Sequence, residues 1–212
     1  MAEGGAGRGG NRILLVSPRS SRNIWSLDGV ATFFGARALM PNPALATLVA
    51  LTPPEAGIQY QLCDEEVRAL DLETPCDLVA VTGMTVDARR VEEICRAFRA
   101  RGVPVALGGA FATLEAERCK GLADHHFIGE AEYTWPLFLE QWLKGEARAT
   151  YRQEGHVDMR RSPCPDWSLI RPEDYLQVGI QTSRGCPNRC DFCDVVQYVG
   201  SAFRTKDDAQ VL

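Results

Sequence analysis

Three cysteines near one end of the chain, Cys186, Cys190 and Cys193, stand in the pattern C-x3-C-x2-C. Thiolate sulfur is a soft donor that suits zinc or an iron–sulfur cluster. A structural zinc site closes on four ligands, and the nearest upstream Cys or His, Cys164, lies well outside this loop. Cysteine-only ligation of a [4Fe–4S] cluster also takes four thiolates, so three leave one iron open to a small molecule. A zinc knuckle and a redox disulfide loop are the alternatives. Neither accounts for the strand-like run Val178–Ser183 before the loop and a helix expected from near Thr205 or Asp207 after it. The remaining five cysteines, Cys63, Cys76, Cys95, Cys119 and Cys164, are scattered singly. In a reducing compartment such residues behave as small buried hydrophobes. Cys63, Cys95 and Cys119 fall within strand or helix patterns and read as packing residues.

The elements that must carry this loop begin with an alternation of strands and helices over residues 12–145. Ile13–Val16 is a continuous apolar run of the kind buried on both faces in a parallel sheet. Ile58–Cys63, Leu78–Thr82, Pro104–Leu107 and Asp124–Ile128 read as four further strands. Asn42 caps a helix with Pro43 in its first turn. A second helix spans about Asp87–Arg101, with Val91, Ile94, Cys95 and Phe98 on one face and Gly102 ending it. Others begin near Ala112 and span about Thr134–Lys144, the latter with Trp135, Phe138 and Trp142 directed at the core. Five strands with crossover helices predict an open, doubly wound α/β sheet of flavodoxin or Rossmann type.

Glycines recur where that sheet's strands end: Thr82-Gly83-Met84, then Gly108-Gly109, then Gly129-Glu130. Open α/β sheets bind ligands beyond these ends, and glycine lets a ligand approach the backbone. From Gly145 to about Gln177 the periodicity stops, and Pro163, Pro165 and Pro172 mark a linker anchored by Trp167, Leu169, Ile170 and Tyr175. His125 and His126 are neighbours in a strand and face opposite ways, so neither is expected to be a ligand; His156 is expected in solvent. Asp64, Glu65 and Glu66 are expected to be solvated turn residues, with a cofactor hydroxyl as their other possible partner.

Composition narrows the function classes. The chain has 212 residues, 45% apolar and 24% charged, and a net charge of −5. That balance suits a globular protein. No basic run supplies the footprint of a nucleic-acid binder, and no apolar stretch approaches a membrane span. Residues 1–11 are glycine-rich without an apolar centre and read as a disordered leader, not a signal peptide. A cytoplasmic location follows as the expectation.

The run Gln181–Asp194, QTSRGCPNRCDFCD, resembles the cluster loop of radical SAM proteins that carry a cobalamin-binding N-terminal domain. Gly200, Arg204 and Lys206 match the same group less specifically. The resemblance implies a [4Fe–4S] cluster on Cys186, Cys190 and Cys193, with the open iron gripping the amino and carboxylate groups of S-adenosylmethionine. It also implies cleavage of that cofactor to a 5′-deoxyadenosyl radical. Phe192, just before the last cysteine, is implied to lie beside the adenine.

The strand-end residues Thr82, Gly83, Met84, Gly108, Gly109, Gly129 and Glu130 are similar, in order and type, to the cobalamin loops of that class. The resemblance therefore implies a cobalamin domain over residues 12–145, a linker over 146–177, and over 178–212 the first strand and cluster loop of a radical SAM (β/α) barrel, truncated. One departure is plain: no histidine precedes His125, so the Asp-x-His-x-x-Gly cobalt ligand of many cobalamin domains is absent. A residue of the long loop Ser17–Pro41, or water, would then serve the lower face of the cobalt. The implied activity is methyl transfer to a small-molecule or lipid-like substrate, resembling hopanoid-type methylases. Radical SAM cyclases of the tetrapyrrole pathway, or a non-catalytic binding module, are the alternatives. An electron donor of flavodoxin or ferredoxin type is implied as partner. No side chain of this stretch is expected to act as a catalytic acid, base or nucleophile, and the chain alone is expected not to turn over.

Overall fold

The computed structural model describes residues 11–20 and 28–211. The leader expected over residues 1–11 lies outside them except for Asn11, as do residues 21–27 of the long loop. That loop contains a short helix, α1 (Asp28–Phe33).

Six strands form one all-parallel sheet: β1 (Arg12–Ser17), β2 (Gln59–Asp64), β3 (Leu78–Thr82), β4 (Val105–Gly108), β5 (His125–Ile128) and β6 (Thr150–Arg152). Their order is β2-β1-β3-β4-β5-β6. The chain turns back on itself on either side of β1, which makes the boundary between β1 and β3 a topological switch point. The crossovers are α2 (Pro43–Ala50), α3 (Ala88–Ala100), α4 (Gly109–Leu114) and α5 (Thr134–Leu143).

Strand alternation sorts the core into two layers. Leu14, Val16, Val79, Val81, Val105 and Leu107 meet α3 and α4 through Val91, Ile94, Phe98 and Phe111. Ile13, Leu15, Leu78, Ala80, Ala106 and Phe127 meet α2 and α5 through Leu45, Trp135, Phe138 and Trp142. The Asn42 carboxamide accepts from the Ala44 N–H at 3.0 Å, capping α2 as its sequence predicts. Cys63, Cys95 and Cys119 are all buried packing residues, although Cys119 lies in a turn after α4 and not in the helix itself.

Several expectations need correction. The sheet has six strands, not five. β6 lies at the edge inside the supposed linker, where only Tyr151 of its three residues is buried, too short an alternation to stand out. α4 starts at Gly109, three residues earlier than Ala112. Gly109 has φ +88°, and a Cβ there would meet Thr82 Oγ1 at 2.5 Å, so the helix begins on a residue that sequence patterns read as loop. Val178–Ser183 is not a strand. Only β7 (Ser183–Arg184) pairs, antiparallel to β8 (Arg204–Thr205). Val178 and Ile180 alternate as a strand would, yet both are exposed; without a neighbouring strand the alternation has no ladder to join. Two short helices follow the cysteines, α6 (Val195–Val199) and α7 (Asp208–Val211). The second corresponds to the helix expected near Asp207; the first was not anticipated.

The rest of the supposed linker packs as expected. Ile170, Tyr175 and the half-buried Trp167 join Ala38 and Ala46 in a small apolar cluster, while Leu169 stays outside it.

Candidate functional site

On the α2/α5 side of the sheet the alternating positions read Ala80, Thr82, Ala106 and Gly108, where the opposite face carries Val79, Val81, Val105 and Leu107. Small residues on one face leave space. A cavity of about 1140 Å³, counting the part open to solvent, fills it. Leu45 and Leu48 of α2, Leu51 just after it, Phe127 and Trp135 supply apolar lining. The mouth carries Gln181, Arg184, Tyr198, Val199 and Lys206 from the segment around the cysteines. The Trp135 indole N–H is buried and makes no hydrogen bond of acceptable geometry, although the Tyr60 hydroxyl lies close by.

Five of the seven strand-end residues singled out from sequence line this cavity: Thr82, Gly108, Gly109, Gly129 and Glu130. Gly83 does not; a Cβ there would meet Val91 Cγ2 at 2.7 Å, so its missing side chain makes room for α3. Met84 is 58% exposed, and its N–H is held by Asp87 at 2.8 Å. Phe192 is 90% exposed on the cysteine loop.

That loop spans residues 185–203 between β7 and β8. It leaves β7 at Gly185, where φ is +97° and a Cβ would collide with the Ala202 carbonyl. The Cys186 N–H donates to Gly200 O at 3.2 Å, and the Cys193 N–H to Cys190 O at 3.1 Å. Cys190 is exposed, while Cys186 and Cys193 are half-buried. Among the described residues no group of three or more His, Cys, Asp or Glu side chains is gathered to hold a metal. The three thiols share one solvent-accessible loop without converging. As a donor set they suit a cluster, since soft sulfur on one flexible loop can close around iron.

Two buried carboxylates tie this loop to the sheet. Glu130 accepts from Arg184 Nη1 at 2.5 Å, from Arg204 Nη1 at 2.9 and 3.0 Å, and from the Val157 N–H at 2.9 Å. Glu132 pairs with Arg184 Nη1 at 2.8 Å and accepts from Ser162 Oγ at 3.0 Å. Burial raises the Glu130 carboxyl, but the Val157 N–H and the two arginines outweigh it and hold its pKa below the usual glutamate range. Arg204 also donates to Val157 O and Val199 O at 2.6 and 2.8 Å. Glu130 was expected as a cofactor contact; its carboxylate is committed to these partners while still facing the cavity. Glu132 and the depth of the cavity were missed from sequence. The alanines at 80 and 106 were the available signal.

A second tie lies at the opposite edge. The Tyr175 hydroxyl donates to Asp64 Oδ2 at 3.0 Å in a buried contact. Burial raises the Asp64 pKa. Asp64 is therefore not the solvated turn residue its position suggested. Glu65 instead pairs with Arg90 at 2.6 Å, and Glu66 accepts from the Ser20 N–H at 2.8 Å. The His125 and His126 rings bond the Arg148 and Ala123 carbonyls, and His156 is exposed against Gly200. No helix among the described residues is long and apolar enough to cross a membrane.

No protein-family model matches the chain. It is 33% identical over 205 residues to an uncharacterized methyltransferase of Synechocystis, covering 95% of the chain and 38% of that protein. Identity to the hopanoid C-2 methylase of Rhodopseudomonas palustris is 28% over 220 residues, 98% of the chain and 40% of the relative. Bacteriochlorophyllide d C-8(2)-methyltransferase of Chlorobaculum tepidum matches at 28% over 172 residues, 77% of the chain and 38% of the relative. The chain thus spans about two fifths of the length of these curated relatives. The chain is thus similar to methyltransferases, over nearly its whole length in the first two, and among them is a hopanoid methylase of the kind its cysteine loop resembles.

Proposed function

We propose that the chain is the cobalamin-holding and cluster-bearing part of a radical SAM methylase, with residues 12–145 as the cobalamin domain and 178–212 as the start of the radical SAM domain. The observation that carries this is the placement of a three-cysteine loop beside a deep cavity at the glycine-rich strand ends of a doubly wound sheet. When bound, the cluster supplies the electron that opens the sulfonium of S-adenosylmethionine, and cobalamin supplies the methyl group.

The chain's own residues have distinct tasks. Cys186, Cys190 and Cys193 hold iron as thiolates and, being three, leave one coordination position for S-adenosylmethionine. Phe192 offers an exposed ring on the same loop for its adenine. Thr82, Gly108, Gly109 and Gly129 form the rim over which a corrin edge can lie. Ala80 and Ala106 would provide depth for the benzimidazole base that ends the nucleotide tail, and Leu45, Leu48 and Trp135 would exclude water around it. Met84 stands at the outer rim, free to touch a ligand lying across the strand ends, while Gly83 beneath it is buried against α3.

The names of the relatives favour methylation over tetrapyrrole cyclisation, and they name hopanoid and bacteriochlorophyllide substrates. We infer a polycyclic, largely apolar small molecule as substrate, and a flavodoxin- or ferredoxin-type electron donor. The test is cofactor content after anaerobic reconstitution: cobalamin retained through gel filtration, and about four irons per chain. Iron loading should fall sharply when any of the three cysteines is replaced by alanine. Zinc without cobalamin, or a tightly held flavin, overturns the proposal.

A further inference from the structure

Arg184 and Arg204 stand directly opposite each other across the β7–β8 pair. Like charges at facing positions oppose strand pairing, and both arginines are largely withdrawn from water. No carboxylate within residues 181–205 pairs with them: the partners of their guanidinium groups in that stretch are the Gln181 carboxamide for Arg184 and the Val199 carbonyl for Arg204. The counterions come from the sheet, from Glu130 and Glu132 just past β5. Arg184 lies two residues before Cys186. Arg204 grips Val199, next to the Gly200 carbonyl that receives the Cys186 N–H.

We propose that Glu130 and Glu132 are positioning residues for the cysteine loop: they are the counterions that allow the Arg184–Arg204 hairpin to close and so set the spacing of Cys186, Cys190 and Cys193. The contact stands on its own; its bearing on a cluster rests on the function proposed above. Breaking a buried pair by neutralising one member leaves the other charge uncompensated. The hairpin has little apolar burial of its own to resist opening, since α6 and α7 contain no buried residue.

Amide hydrogen exchange on the whole 212-residue chain tests the contact without any cofactor. In Glu130→Gln and Glu132→Gln the Cys186 and Lys206 amides, bonded to Gly200 O and Thr182 O, should exchange roughly tenfold faster or more. The Val79 amide, bonded to Pro104 O inside the sheet, should keep its protection, and Glu130→Asp should recover part of the loss. Unchanged hairpin exchange in both glutamine variants overturns the proposal, and so does equal acceleration throughout the sheet. Reconstitution then reads the consequence for iron. The glutamine variants should surrender iron to a chelator roughly tenfold more readily than the wild type, with a weakened [4Fe–4S] electron paramagnetic resonance signal restored in part by Glu130→Asp. Iron held as tightly as in the wild type, despite a loosened hairpin, refutes the positioning role. A wild-type chain that loads no iron refutes instead the cluster function, and the exchange result still decides the contact.

Discussion

Residues 12–152 and residues 176–211 hold their shapes by different physics. The first segment is a parallel sheet between two continuous apolar layers, with β1, β3 and β4 buried on both faces. Its cohesion is burial, which is non-directional and spread over many side chains. The second segment contributes almost nothing to either layer. It is held by the arginines on Glu130 and Glu132, by Lys206 on Pro163 O at 3.0 Å, and by Gln210 on the carbonyls of Met159, Arg160 and Ser162. Contacts of that kind are few, directional and sensitive to charge. A segment fastened this way can reorder around a ligand while the sheet stays fixed, which suits a loop that must close on iron.

The comparison can be broken most sharply with a thiol reagent. Cys95 and Cys119 are fully buried, and burial pushes their thiols up to about 12 and about 11. Cys190 and Cys164 are exposed. Alkylation followed by mass spectrometry should label the exposed pair on the order of a thousandfold faster or more, because the buried thiols wait for the sheet to open. Comparable rates would mean the sheet is not the rigid half.

Core truncation should separate the halves next. Phe98→Ala removes a fully buried ring from the α3 layer and should cost about 3–5 kcal/mol in urea unfolding. Phe192→Ala, on the exposed loop, should stay within about 0.5 kcal/mol. Similar losses at the two positions would erase the distinction.

Tyr175→Phe removes one hydroxyl from the buried contact with Asp64 and should cost about 1 kcal/mol. A loss confined to chain near Ala38 and Tyr175, seen by hydrogen exchange, sharpens the picture of a linker pinned at one point. A neutral result would show that Ile170 and Trp167 hold it without the hydroxyl.

The gentlest probe is pH. Glu130 has a depressed pKa, so its contribution is present above the unfolded glutamate value of about 4.3 and disappears as pH falls through the folded value. Asp64 is raised, so its contribution is present below the unfolded aspartate value of about 3.9 and is lost as pH rises through its folded value. Protection of the Cys186 amide should therefore be level from pH 7 to about 5 and fail below about 4. Loosening of the hairpin already between pH 7 and 5 would place its control elsewhere.

Much of the sheet was legible because strands and amphipathic helices announce themselves within a few residues. Val91, Ile94, Cys95 and Phe98 repeat at helical spacing, and each is buried. The run Ile13–Val16 is buried at every position. Legibility failed where an element takes its identity from a distant partner. β6 is a strand only because β5 lies beside it, and Val178–Ser183 has strand-like alternation without a neighbour to pair with. Asp64 follows a strand in a typically solvated position, and nothing near it announces that Tyr175 covers it.

Sequence alone determined the apolar strands and helix faces of a doubly wound sheet, the glycines at the strand ends and the three thiols on one loop. Each of these is set by side-chain period, backbone freedom or ligand count within a short stretch of chain. Only the tertiary structure decided which residues face the cavity and which hold the loop. The Glu130 contacts join residues 54 and 74 positions apart, and the Asp64 contact joins residues 111 apart. At such separations no local pattern specifies a partner; the path of the folded chain does.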